Sequence, residues 1–281
     1  MDSRQLETLR SNVVPRRQVI KASMILSAKN FVADPQWIIP SIIAPFIFTM
    51  VALFFYAGAS GGGASALLSA VLGGGLMGVW GTTVYGSANS IGFDRWNGSM
   101  ESTLVAPAPL IWIVLGRVLW NTFIGVINGF IVLAIGLLWF RVGVTLLNPV
   151  LFVYATMLTY VSMSAFGLML STVYVLSRKG GFIENSMEIP VYIATGTSFA
   201  VALLPYFALP ISYILGPTWG IEAIKRAAVG AAYPYGHLLP TGYWMDIAFM
   251  VIATLAYFFL SFVLFEKVEA IAKRNGTIDE Y

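Results

Sequence analysis

The sequence predicts an all-α integral membrane protein. It should have six transmembrane helices, an N-terminal interfacial helix, a short polar helix between the second and third spans, and re-entrant helices before the last span. Three observations lead there. Only 10% of the 281 residues are charged and 58% are hydrophobic, whereas a soluble domain carries about 25% charge, so lipid must solvate much of the surface. Six apolar stretches reach or approach the ~20 residues that a spanning helix needs. The basic residues between those stretches fall overwhelmingly on one side.

Residues 1–36 form the N-terminal tail and the interfacial element. Their mixed polarity does not read as a secretory signal peptide. Pro15 interrupts the tail. After it, Val19, Ile20, Ser23, Met24, Ser27 and Phe31 recur on one helical face, with Arg17, Lys21 and Lys29 elsewhere. That pattern is an amphipathic helix lying on the membrane, and its basic residues suit an anionic cytoplasmic leaflet. Asp34-Pro35 turns the chain into the bilayer.

The six spans fall at roughly 37–57, 65–92, 110–139, 148–176, 185–204 and 243–265. With the N-terminus in the cytoplasm, the inside holds Arg4, Arg10, Arg16, Arg17, Lys21, Lys29, Arg95, Arg117, Arg178, Lys179, Lys267, Lys273 and Arg274. The outside holds only Arg141, Lys225 and Arg226. Positive charge is retained on the cytoplasmic side, so both termini should be cytoplasmic and the 94–109 loop cytosolic. Residues 37–265 then make one six-span unit, and 266–281 a charged cytosolic tail.

The 94–109 stretch is the one clearly polar segment between two long apolar runs. Gly98 and Ser99 suit the start of a short helix, because a serine hydroxyl can accept from the free N–H groups of a first turn. Glu101 falls in that turn, where the helix dipole favours negative charge. Pro107 and Pro109 end it, since proline cannot donate to the helical ladder. Such an element is either an interfacial loop or a docking helix.

The run Arg95…Gly98-Ser99-Met100-Glu101…Leu104…Ala106-Pro107, followed by Leu115-Gly116-Arg117, resembles the cytosolic loop of ABC type-2 exporter permeases. That family carries charged-x-x-G-T/S-hydrophobic-E-x-x-L-x-x-P there, then G-K/R entering the next span. The resemblance implies that 94–109 is a coupling helix seated on a separate ATP-binding subunit, with Arg95, Asn97, Gly98, Ser99, Met100, Glu101, Leu104 and Pro107 as its contact residues. It also implies a second permease subunit, either another copy of this chain or a paralogue.

Residues 204–242 form the largest outside segment. Leu203–Pro217 is apolar but too broken by proline to span. Thr218–Val229 reads as a short helix, with Thr218 as a possible cap and Glu222 four residues before Arg226, a favourable helical pairing. Irregular backbone at membrane depth must be buried in protein or wetted. Pro205…Leu209-Pro210 and Leu215-Gly216-Pro217-Thr218…Glu222…Arg226 resemble the extracellular re-entrant cap of the same family. The family often has Ser-Gly before the first of these prolines. Here Thr195-Gly196-Thr197 lies further upstream and bulky Val201-Ala202-Leu203 takes its place.

Other chemistries find little support. No G-x-x-x-x-G-K-[ST] phosphate loop occurs, so an ATP-driven protein of this kind needs its ATP and magnesium in a partner chain. The chain itself calls for no cofactor and no metal. Cysteine is absent, which excludes disulfides and thiolate metal sites. His237 is the only histidine and lies in an outside loop, where simple solvation is the plainer reading. Proton- and ion-coupled carriers place ionisable groups mid-span, and these span centres are almost free of charge. Glu184, Asn185 and Glu188 open the fifth span, either stabilising a helix N-terminus or forming a second cytosolic contact or inner gate. Gly74-x-x-x-Gly78 and Gly125-x-x-x-Gly129 favour close helix packing, within or between subunits. Aromatic and Met residues such as Tyr154, Met157, Tyr160 and Met163 could line an adaptable apolar path or simply pack.

The sequence therefore reads as a multi-pass permease subunit of an ABC exporter in the cell membrane. The expected cargo is a hydrophobic or amphiphilic compound, such as a drug, antibiotic or lipid-like molecule. Export of a polysaccharide or glycolipid precursor is the alternative within the family. Polysaccharide exporters commonly carry Arg-Tyr-Arg and Leu-Gly-x-x-Trp entering the first span, where this chain has Phe31-Val32-Ala33-Asp34-Pro35-Gln36-Trp37. An ATP-independent carrier or channel, and a membrane enzyme using His237, Asp246 or Glu222, are the rivals from other classes. No feature points to nucleic acid.

Overall fold

The computed structural model describes residues 14–33, 43, 46–47, 49–51, 53–54, 64–87, 92, 94, 98–99, 102–103, 106–140, 146–176, 188–197, 200–230, 238–240 and 242–275. Among them there is no strand. The elements are α1 (Arg16–Ala33), α2 (Ala64–Trp80), a π-helical turn (Gly81–Tyr85), α3 (Leu110–Phe140), α4 (Pro149–Leu176), a 3-10 turn (Val201–Leu203), α5 (Leu209–Ile214), α6 (Gly216–Ala228) and α7 (Tyr243–Asn275).

Three helices are long and apolar enough to cross a membrane, over Leu110–Trp139, Pro149–Thr172 and Tyr243–Lys267. They are the expected third, fourth and sixth spans. A shorter apolar helix, Leu68–Val84, lies in the expected second span. The first span, 37–57, is described only at scattered residues between 43 and 54, which are helical. Serine and threonine are tolerated in these helices because each hydroxyl donates to a carbonyl one turn back. Thr122 to Val118 O, Thr159 to Ala155 O, Ser164 to Tyr160 O and Ser261 to Tyr257 O do so at 2.7–2.8 Å. No hydroxyl of this set is left facing hydrocarbon unpaired.

Helices α2 and α3 run antiparallel along a seam of small residues. A Cβ added at Gly129 would lie 2.8 Å from Gly75 O, and one at Gly125 would lie 2.5 Å from Thr83 Oγ1. One at Gly136 would lie 2.8 Å from Val71 Cγ1. Gly125-x-x-x-Gly129 thus packs within the chain, on the face of α2 that carries Gly75 and Val79. Without a hydrophobic driving force between helices in lipid, such close approach is what holds a pair together.

The expected amphipathic N-terminal element is α1, and it lies on the first third of α3. Val19 and Ser23 are buried, and Ile20, Met24, Ser27 and Phe31 are half-buried. Ser23 Oγ donates to Ile113 O at 2.6 Å. Gly116 leaves room for this crossing, since a Cβ there would meet Ile20 O at 2.5 Å. Arg16 sits 5.1 Å from the Trp112 ring centroid, and Phe31 packs edge-on to Trp120. Arg17, Lys21 and Lys29 are exposed.

The main core joins α2, α4, α6 and α7 through Met77, Trp80, Met163, Phe166, Trp219, Ile221, Ile224, Met250 and Tyr257. Helix α6 has 13 residues, too few to span. All of them except Arg226 are buried, chiefly between α4 and α7.

Two expectations are corrected. The apolar run expected to span from 185 to 204 is not one helix: its described helical part covers 188–194 and stops at Ala194. Gly196 takes the left-handed φ of 77°, and Thr197 N–H bonds back to Tyr192 O at 3.2 Å. This is a Schellman ending, with glycine at the position that L side chains avoid. The Thr195 and Thr197 hydroxyls reinforce it by donating to Val191 O and Tyr192 O. Second, Thr218 does not cap α6. Leu215 is the N-cap and Pro217 sits in the first turn, where a missing N–H costs nothing. Helix α7 runs on past its apolar part, which ends at Lys267, to Asn275.

Candidate functional site

At the end of the bundle where α3 begins, three chain segments meet on one carboxylate. Asp94 is helical and buried. Ser99 N–H bonds back to Asp94 O at 2.8 Å, and Gly98 has φ 67°. This is again a Schellman ending, so Gly98 closes the preceding helix rather than opening the next one. A new turn starts at Ser99, whose carbonyl accepts from Thr103 N–H at 3.1 Å.

The Ser99 hydroxyl was expected to accept from first-turn N–H groups. Instead it donates to Asp94 Oδ1 at 3.1 Å. Thr103 Oγ1 donates to Asp94 Oδ2 at 3.1 Å. Arg117, the single charged residue in α3, places Nη1 2.7 Å from the same Oδ2. Both ion-pair partners are buried, Asp94 at 9% and Arg117 at 6% exposure. One carboxylate therefore ties the Asp94 segment, the 99–103 turn and α3 together.

Of the expected contact residues, Gly98 and Ser99 form this junction, and Pro107 lies exposed in the bend that leads to Pro109 and α3. Arg95, Asn97, Met100, Glu101 and Leu104 lie outside the described residues. Exposed Ser102 marks the outer side of the turn. Of the second expected contact, Glu184 and Asn185 lie outside the described residues. Glu188 accepts from Tyr192 Oη at 2.6 Å, and Tyr192 belongs to the main core.

The residues expected to form the outer cap lie in and beside α5 and α6. Pro205 precedes a turn closed by Ala208 N–H to Pro205 O at 2.9 Å. Pro210 and Pro217 occupy the first turns of α5 and α6. Glu222 is buried and accepts from Leu238 N–H at 3.3 Å. Arg226 does not pair with Glu222 along the helix as expected. Its Nε reaches Asp246 Oδ2 at 2.5 Å and its Nη2 donates to Leu239 O at 2.6 Å. Neighbouring Lys225 is buried and donates to Gly196 O at 2.7 Å, capping the 188–194 helix from across the bundle. His237, which a membrane enzyme would have used, lies outside the described residues.

Among the described residues the chain is all-helical, with three helices long and apolar enough to cross a membrane. The ABC-2 type transporter family model matches residues 18–228, and the chain belongs to that family. The match includes α1, the Asp94 junction and α6. No curated protein matches the chain. Members of this family contribute the membrane domain of a transport system, so the chain is a transport subunit.

Proposed function

We propose that this chain is the permease subunit of an ATP-driven exporter, powered by a separate ATP-binding subunit and working beside a second permease subunit. The 94–109 element is the docking site for the ATPase. The observation that carries this reading is the Asp94 junction: a short polar turn fixed by an ion pair and two hydroxyls to the end of the spans, in a chain of the ABC-2 type transporter family. A solvated interfacial loop needs no such anchorage.

In this mechanism ATP and magnesium bind between the two ATPase subunits and draw them together. The docked turn moves with them, the spans reorient, and cargo leaves past the cap formed by α5 and α6. The basic asymmetry of the loops supports cytoplasmic termini and a cytoplasmic 94–109 element. The apolar bundle, with charge confined to its two ends, supports a hydrophobic or amphiphilic cargo. A coupled machine requires two arrangements whose balance nucleotide shifts.

The experiment is purification of the permease in nanodiscs with its co-purifying proteins, comparing wild type and Glu101→Arg. The expected outcome is co-purification of an ATP-binding subunit with ATPase activity, and a weakened complex or altered turnover in the variant. A permease that transports without any ATPase, and is indifferent to Glu101→Arg, contradicts the reading in favour of a carrier or channel.

A further inference from the structure

Between Thr103 and α3 the chain leaves the helix. Residues 106–108 are bent, with Ala108 N–H bonded to Ala106 O at 2.7 Å, and Pro107 and Pro109 cannot donate to a helical ladder. Helix α3 starts only at Leu110. With 106–109 outside any helix, no continuous helical ladder runs from the 99–103 turn into α3.

A side-chain path joins the turn to α3 directly. Ser99 and Thr103 stand at the two ends of one helical turn, and both bond the Asp94 carboxylate. That carboxylate meets Arg117, seven positions into α3, or about 10 Å along its axis. The pair is buried, so its attraction is little screened. The register of the α2–α3 seam leads straight to it. Val71 faces Gly136, Gly75 faces Gly129, Asn121 Nδ2 donates to Ser87 Oγ at 3.4 Å, and Asp94 meets Arg117. Next to Arg117, Gly116 carries the crossing of α1. The pair thus stands where the turn, the second span, α3 and α1 converge.

We propose that the Asp94–Arg117 pair is the joint that transmits displacement of the 99–103 turn into α3, making both residues positioning residues of the transport cycle. This rests on the docking reading above and adds the route by which motion leaves the docked turn. Replacing Asp94 by a neutral residue should leave the turn free to follow the ATPase while α3 stays behind.

The absence of native cysteine allows single nitroxide labels at Ser102→Cys, exposed on the turn, and at Leu138→Cys, 79% exposed at the far end of α3. Spectra are compared with and without ATP, magnesium and vanadate, in the permease–ATPase complex in nanodiscs. In the parent, both labels should respond. In Asp94→Asn the Ser102 response should persist and the Leu138 response should be lost. Asp94→Glu, which keeps a carboxylate for both hydroxyls and for Arg117, should retain it, so that the loss in Asp94→Asn tracks the carboxylate rather than folding. A parental Leu138 response in Asp94→Asn overturns the joint and leaves the docking reading intact. A parent in which Ser102 ignores nucleotide overturns the docking reading and the joint together. Should Asp94→Asn fail to assemble, Ser99→Ala with Thr103→Val decides. That pair of substitutions keeps the ion pair but cuts its hydroxyl links, and an undiminished Leu138 response overturns the proposal.

Discussion

At the scale of single residues, the buried charges among the described residues, Asp94, Arg117, Glu222, Lys225 and Asp246, lie where two segments meet. Asp246 is 1% exposed and opens the long apolar part of α7, so its charge demands a partner. Arg226 supplies one at 2.5 Å. Removing one partner of a buried pair typically costs ~3–5 kcal/mol, because the other charge is stranded. Arg226→Ala should therefore lower the thermal midpoint of the purified permease markedly. Adding Asp246→Asn to it should cost much less than the sum of the two single changes, because the two side chains share one interaction. A strictly additive double mutant would contradict the pairing. Helical spacing alone favoured Glu222 as the partner of Arg226, four residues earlier, and that rule failed here. The competing signal was in the sequence: a lone aspartate opening a long apolar run has to be neutralised by something, and α6 offers two adjacent cations. The Asp94–Arg117 pair was missed for a different reason. The partners are far apart in sequence, and the Schellman ending at Gly98 that folds Ser99 back onto Asp94 has the same Gly-Ser signature as a helix start.

At the scale of elements, the α2–α3 seam depends on side chains that are absent. Gly129→Leu would drive a branched side chain into Gly75 O, 2.8 Å from the new Cβ, where backbone cannot yield. It should collapse the yield of monodisperse protein on size-exclusion chromatography. Gly86→Ala is the matched control: its nearest neighbour would be Asn121 at 3.6 Å, an ordinary contact, and alanine favours the helix by up to about 1 kcal/mol. Equal behaviour of the two variants would refute the seam. The long helices α3, α4 and α7 were legible because apolar length alone marks a span. So was α1, whose apolar face was read residue by residue. The end of the 188–194 helix at Ala194 was not legible, because Thr195-Gly196-Thr197 carries no charge and passes within a hydrophobic run. What stops the helix is the left-handed glycine, two back-bonding hydroxyls and a distant lysine. The π-helical turn at Gly81–Tyr85 had no sequence signal either; it lies against Gly125, where small residues let the backbone pass.

At the scale of the whole molecule, the two polar ends divide the work of an exporter. One end holds the short turn on the Asp94 clamp, and the other holds the buried helix α6 with its Lys225 and Arg226 anchors. The long apolar helices join them. The account's central claim is that the first end meets an ATP-binding subunit in the cytoplasm. The most direct test is site-specific cross-linking in native membranes from two single cysteines, Ser102→Cys on the turn and Leu147→Cys at the opposite end, 70% exposed. The account predicts a cross-linked product from Ser102, identified by mass spectrometry as carrying a phosphate-loop ATPase, and none from Leu147. An ATPase captured from Leu147 and not Ser102, or from neither while transport proceeds, would contradict it.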